Sequence, residues 1–324
     1  MSRWSDSPTG RRGLKLQVRG GPAPNVTATP LHGEPVAATI RADVCDRLAR
    51  LREEHGRVPT LGTVLVSDDP ADERFMDLKH AACDEVGVET RDRRLAPDVP
   101  DAELYRAVER LSAATAVDAV FVQTPLPSTV PAVEVGTRID PRKDVDCFHP
   151  ENRGRLVAGE PRFVPATTAA VRRLLAAYDL ETAGRDVVVV GRSPTIGTPL
   201  ANRLFQRAGG NATVTVCHSR TRDLAEKTRR GDVVVTACGV PELVDGSMLS
   251  SGAVVVDVSA NRRRGATGPE TVGDVDYASA RETAAAVTPV PGGVGPVTVA
   301  ALLDNVVRAA ERRADADGRE TGAG

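Results

Sequence analysis

Asp186-Val187-Val188-Val189-Val190-Gly191-Arg192-Ser193-Pro194-Thr195-Ile196-Gly197 is the stretch that decides the architecture. Four consecutive valines are stiff, β-branched and too few for a helix. They predict a short strand buried on both faces, as in a parallel sheet. Gly191 allows a sharp turn, and a helix is predicted directly afterwards over Ile196–Ala208. A strand, a glycine turn and a helix in that order open a doubly wound unit. Further strands are predicted at Asn211–Cys217, Asp232–Ala237 and Ala253–Val258, with a helix at Thr221–Thr228. Alternating strands and helices imply a parallel sheet with right-handed crossovers.

The same alternation precedes this unit. Val36, Ile40, Val44, Leu48 and Leu51 recur every three or four residues and predict a helix. Thr60–Val66 reads as a buried strand. Ala71–Val86 reads as a helix with Phe75, Leu78, Ala82 and Val86 on one face. Ala102–Leu111 is a further helix, and Ala116–Val122 is a strand ending at Gln123. The expected order is β-α-β-α-β. The chain is therefore expected to be α/β with two domains. Residues 1–29 are read as a flexible extension, 30–164 as a first α/β domain and 165–297 as a Rossmann-type domain. A final helix over 298–313 is expected to return to the first domain, followed by a polar tail at 314–324.

The 324 residues suit two such domains. A net charge of -2 offers no basic surplus for a phosphate backbone, so no nucleic-acid partner is expected. No apolar run could cross a bilayer, and the N-terminal arginines precede no apolar signal segment, so no membrane partner is expected and the cytoplasm is the default. Cys45, Cys83, Cys147, Cys217 and Cys238 are widely spaced and form no CxxC pair, which argues for free thiols and no metal site. Among 42 basic residues only Lys15, Lys79, Lys143 and Lys227 are lysines. Because arginine keeps its proton, these are the cations that could exchange one. A chance surface lysine still fits Lys15 and Lys227.

The Gly191 turn ends at a helix N-terminus, whose free N–H groups suit a phosphate. Gly191, Arg192, Ser193 and Ile196 form the candidate cofactor loop, although a tight turn without ligand would look similar. The following strand ends in Cys217-His218-Ser219-Arg220 with no acid to hold ribose hydroxyls. That favours NADP over NAD, with Arg192, Ser193 and Ser219 near the extra phosphate. The most restricted stretch is Thr288-Pro289-Val290-Pro291-Gly292-Gly293-Val294-Gly295-Pro296-Val297-Thr298-Val299. Fixed φ at the prolines and bare glycines would give a rigid backbone surface against a flat ligand.

This loop resembles the C-terminal signature of the bifunctional methylenetetrahydrofolate dehydrogenase/methenyltetrahydrofolate cyclohydrolase family. Asp68-Asp69-Pro70-Ala71 with Lys79, Val122-Gln123-Thr124-Pro125-Leu126-Pro127 and Lys143-Asp144-Val145-Asp146-Cys147-Phe148-His149-Pro150 resemble its earlier motifs, in the family's order. The nucleotide loop and His218-Ser219 also match, and the resemblance spans about Leu31 to Ala310. It implies a folate-binding first domain, an NADP-binding second domain and a homodimer. It further implies oxidation of methylene-tetrahydrofolate and hydrolysis of the product to 10-formyl-tetrahydrofolate, within one-carbon metabolism and purine biosynthesis.

Position by position, Lys79 matches the catalytic lysine, Gln123 the glutamine that holds it and Asp146 the acid that grips the pterin. Phe75, Pro291, Gly292 and Gly293 match substrate-binding positions. Four positions depart from the pattern: Phe75 stands for a usual tyrosine, Cys147 for a glycine, Ala166 lies in a segment usually Pro-Cys-Thr-Pro, and Ser259 replaces a glycine. They bear on the cyclohydrolase step and the nicotinamide side more than on the fold. A dehydrogenase-only or non-catalytic folate-binding relative is the alternative.

Overall fold

The computed structural model describes residues 27–265 and 268–321. The chain forms β1 (Thr29–Pro30), α1 (Glu34–His55), β2 (Thr60–Val66), α2 (Pro70–Val86), β3 (Glu89–Leu95), α3 (Asp101–Ala113), β4 (Ala119–Val122), α4 (Ala132–Gly136), α5 (Pro150–Val157) and α6 (Ala166–Ala177). It continues through β5 (Asp186–Val190), α7 (Gly197–Phe205), β6 (Thr213–Cys217), α8 (Leu224–Arg229), β7 (Val233–Thr236), β8 (Val254–Asp257), β9 (Asn261–Arg264), β10 (Pro269–Val272), α9 (Tyr277–Thr283), β11 (Ala286–Val287) and α10 (Val294–Thr321).

The first domain holds a parallel sheet in the order β3-β2-β4, and the second a parallel sheet in the order β1-β11-β8-β7-β5-β6. The valines of β5, β7 and β8 are all buried, which is why a run without polar alternation folds as strand here. β5 has β6 on one side and β7 on the other, so the order reverses beneath Gly191. In the first domain β2 plays this part between β3 and β4. Ligands of open α/β sheets bind at such switch points, beyond the strands' carboxyl ends.

α10 joins the two halves. It packs along α1 and α6 and also touches α2. Its Asp304, almost fully buried, pairs with Arg47 of α1 and Arg173 of α6. Its Asn305 donates Nδ2 hydrogen bonds to the carbonyls of Val145 (2.9 Å) and Val164 (2.8 Å).

Several sequence expectations need correction. The middle strand of the first domain, left unplaced between the predicted helices, is β3. Its sequence Glu-Thr-Arg-Asp-Arg-Arg-Leu is polar because it is a sheet edge, where charge discourages pairing with another chain. The buried face of α2 is Met76, Lys79, Cys83 and Val86, whereas Leu78 is 56% exposed. A hydrophobic template misses this phase because a lysine occupies the inward position. α10 starts at Val294 rather than Thr298 and continues through the expected polar tail to Thr321. Arg313 reaches the buried Asp118, and Arg57 bridges Asp118 and Asp317, so this last stretch is tied down. At the other end, residues 1–26 of the expected extension lie outside the described residues. Ala28 is buried, and Thr29 and Pro30 pair with Ala286 and Val287 in the second domain's sheet, so the chain enters through the nucleotide half. No helix among the described residues is long and apolar enough to cross a membrane.

Candidate active site

α2 is started by its own sequence. Asp69 Oδ1 accepts from the Ala71 amide at 2.8 Å, and Pro70 occupies the first turn. The helix then carries Phe75 and, one turn later, Lys79 toward the end of β4. Lys79 is 2% exposed. Its Nζ donates to Gln123 Oε1 at 2.9 Å and to the Phe75 carbonyl at 3.2 Å. The ammonium also lies over the Phe75 ring, 3.3 Å from the centroid, and 5.1 Å from the centroid of Phe121. Loss of water pushes the Lys79 pKa down to about 7, against the opposing charges of Asp146 and Asp72.

Gln123 is placed by strand pairing. Its amide donates to the Val64 carbonyl at 2.9 Å, and its side-chain Nε2 donates to the Thr124 carbonyl at 2.7 Å, leaving Oε1 for the lysine.

Asp146 arrives from the loop beside β4. The Val120 amide donates to the Lys143 carbonyl at 2.7 Å, so this loop runs parallel to the strand. Asp144, 1% exposed, folds the loop by accepting from Phe148 N, His149 N and Asn152 Nδ2 at 2.8–2.9 Å. Asp146 Oδ1 accepts from the Ala166 amide at 2.8 Å. Desolvation pushes the Asp146 carboxyl up to about 7, although the residue keeps some surface exposed. The Ala166 hydrogen bond and Lys79 oppose that rise, and Asp144 adds to it. Asp146 and Lys79 make no direct hydrogen bond, but each feels the other's charge.

Cys147 adopts a left-handed backbone, with φ of 58°, where a side chain is strained. Its thiol donates to the Phe163 carbonyl at 3.0 Å, and burial raises its pKa well above the usual thiol range. This is a buried packing cysteine.

The glycine-rich loop is constrained by packing as much as by any ligand. A side chain at Gly293 would meet the Pro289 carbonyl oxygen at 2.6 Å, and one at Gly33 would meet the Gly293 oxygen at 1.9 Å. Gly292 has φ of 103°, and its carbonyl accepts from the Gly33 amide at 2.8 Å. Pro291 remains exposed on the rim. Gly292 and Gly293 thus abut Gly33 at the start of α1.

The nucleotide turn is similarly bare. A side chain at Gly191 would meet the Ala237 oxygen and one at Gly197 the Gly191 oxygen, both at 2.3 Å. Ser193 Oγ accepts from the amides of Ile196 (3.1 Å) and Gly197 (3.3 Å). Arg192 and Ser219 are exposed, and neither side chain has a partner among the described residues.

Sequence reasoning passed over Phe121, Asp144 and Asn305. Strand alternation could have found Phe121, two residues before Gln123 and on the same face. Lys143, within a motif, serves the scaffold. Its Nζ donates to the Ser112 and Ala114 carbonyls at the end of α3, at 2.7 and 2.8 Å.

Comparison with known proteins agrees with this geometry. Residues 31–146 match the catalytic domain of tetrahydrofolate dehydrogenase/cyclohydrolase, and residues 165–314 match the NAD(P)-binding domain of the same family. The chain is 52% identical over 280 residues to the bifunctional protein FolD of Haloquadratum walsbyi, covering 86% of this chain and 90% of that one. It is 44% identical over 280 residues to the bifunctional protein FolD of Maridesulfovibrio salexigens, covering 86% of this chain and 96% of that one. Among solved structures, the Trypanosoma brucei methylenetetrahydrofolate dehydrogenase-cyclohydrolase complexed with NADP cofactor and inhibitor aligns with a TM-score of 0.84 and 37% identity, over 89% of this chain and 99% of that one. A buried lysine held by a strand-end glutamine, a bare nucleotide turn and matches in both domains lead to one conclusion: this chain belongs to the tetrahydrofolate dehydrogenase/cyclohydrolase family.

Proposed function

We propose that the chain oxidises methylene-tetrahydrofolate with NADP and then hydrolyses the methenyl product to 10-formyl-tetrahydrofolate. The observation that carries this reading is the buried Lys79, hydrogen-bonded to Gln123 and brought into the range where it can lose a proton at neutral pH. The pterin's aminopyrimidine edge is assigned to Asp146. A carboxylate opposite adjacent N–H donors is a good match, and Oδ2 has no partner among the described residues. Phe75 is assigned to stacking on the pterin, and Pro291, Gly292 and Gly293 are assigned to the other wall of the substrate site.

The residues present fit a dinucleotide. The turn at Gly191 and Gly197 is held tight by backbone crowding and leads into the N-terminus of α7, whose free N–H groups suit phosphate oxygens. Arg192 and Ser219 are assigned to the ribose phosphate of NADP, with Gly191, Ser193 and Ile196 lining the loop. When bound, the nicotinamide would accept a hydride from the folate's one-carbon bridge. The chain's own part in that step is to hold the two rings in register and exclude water. In the second step Lys79 takes a proton from the attacking water and passes one on, while Gln123 holds the amine in place. The 10-formyl product fits a cytoplasmic role in one-carbon supply, purine biosynthesis included.

We assign the homodimer contact to the nucleotide domain. β6 is an edge strand that displays Val216 at 40% exposure, and α7, which packs on β6, ends in Phe205 at 53% exposure. An unpaired edge flanked by exposed apolar groups suits a second copy.

Lys79→Met should abolish decay of the methenyl species, a loss of about a hundred- to ten-thousand-fold followed by absorbance, while hydride transfer falls less. A wild-type decay rate would remove Lys79 from the chemistry. Phe75→Tyr should raise the hydrolysis rate if the missing hydroxyl normally assists the lysine. The same Lys79→Met change should stabilise the fold by about 1–3 kcal/mol near pH 6, because a buried cation is lost. Sign follows from the depressed folded pKa: the cost of Lys79 is complete below about pH 7 and disappears toward its unfolded value.

Arg192→Ala should weaken NADP binding at least about tenfold more than NAD binding, the scale of one lost charge-assisted contact. Equal losses, read by fluorescence titration, would refute the ribose-phosphate assignment. Sedimentation at micromolar concentration should give a dimer in the wild type and a monomer after Val216→Asp, and a wild-type monomer would contradict the interface.

A further inference from the structure

Lys79 has no ion-pair partner within 4 Å among the described residues, yet it is placed closely enough to make two hydrogen bonds. The charged groups that face it are Asp146 from the loop beside β4 and Asp72 from the first turn of α2. Asp72 is engaged by Ser67 Oγ at 2.7 Å. Across α10, Asp304 is committed to Arg47 and Arg173. The neighbouring His80 turns away to Thr63, and Asp92 of β3 is held by Thr63 and Arg94. What surrounds the ammonium instead is aromatic. Phe75 lies one helical turn before Lys79. Phe121 rises from β4 on the same face as Gln123, 7% exposed and packed into the first domain's core.

We propose that Phe121 is a positioning residue for Lys79, its ring acting with that of Phe75 to hold the ammonium in a place where a carboxylate would otherwise be required. The inference rests on Lys79 as the proton-transfer group. A carboxylate in contact would fix the lysine but keep it charged, raising its pKa by about one to three units. An aromatic face attracts the charged form more weakly, so it holds position without preventing loss of the proton. Gln123 continues to hold Nζ once the amine is neutral, since an amide oxygen accepts from either form. Phe121 and Gln123 thus serve the two protonation states from one strand.

The test is the pH dependence of methenyl hydrolysis in Phe121→Leu and Phe121→Trp, with Lys79→Met in parallel. Leucine keeps the site apolar and removes the ring. The midpoint assigned to Lys79 should then fall by about half a unit to one unit, with a several-fold lower plateau and little change in KM. Tryptophan, a stronger cation partner, should move the midpoint upward. If Phe121→Leu melts at a lower temperature while both variants keep the wild-type midpoint, Phe121 is only packing and the proposal is overturned. If Phe121→Leu does not fold, Phe121→Trp decides by the same criterion. Should Lys79→Met retain hydrolysis, the underlying assignment of Lys79 fails. If Lys79→Met is inactive and the midpoint does not move in the Phe121 variants, the Phe121 inference alone fails.

Discussion

An amine buried to 2% exposure without a contacting carboxylate is the constraint around which the catalytic half is organised. Burying a cation is costly, and the fold meets that cost with directed dipoles and ring faces rather than with a counter-ion. This choice fixes the phase of α2, because the helix must turn Lys79 inward and leave Leu78 outside. It requires β4 to end where Gln123 can present its carbonyl oxygen. It also requires Asp146 to lie near enough to be felt but not to clamp. Asp144 and Asn305 secure that separation, the first by folding the loop from within and the second by pinning Val145 from α10. Burial pushes Lys79 down and Asp146 up from opposite directions, and the charge of each opposes the other's shift.

The two sheets are held together by chain connections on either side of the site. α10 leaves the glycine-rich loop of the nucleotide half and packs along α1 and α6, with Asp304 linking all three helices. β1 ties the beginning of the described chain to the nucleotide sheet, and Arg57 and Arg313 converge on Asp118 beneath the first sheet. The glycine-rich loop has a double duty in this arrangement. Gly33 and Gly293 are kept small by backbone crowding at the junction, while Pro291 is free to line the rim.

The architecture was legible wherever burial imposed a period on the residues. The valine runs of β5, β7 and β8 are buried on both faces and could be read directly as parallel strands. The polar edge strand β3 could not be placed, since its composition reflects protection of an open edge. The extension of α10 beyond Arg313 also escaped, because ion pairs to Arg57 and Asp118 depend on residues distant in sequence. In the site, Lys79, Gln123, Phe75 and Asp146 were selected through ordered motifs, and the structure brings Gln123 and Phe75 each into contact with Lys79. Phe121 was missed because an aromatic residue in a buried strand reads as core, and its second role appears only when α2 brings Lys79 over it. The glycine-rich loop reads as a ligand surface, yet packing alone accounts for Gly33 and Gly293.

Whether Lys79 exchanges its proton near neutrality while remaining buried can be measured directly. With only four lysines in the chain, selective isotopic labelling of lysine allows each side chain to be followed by NMR, and Lys79→Met identifies its resonance. A Lys79 titration midpoint near pH 7 is expected in the folded protein. A midpoint at about 10 or above, the ordinary value for an exposed lysine, would contradict it.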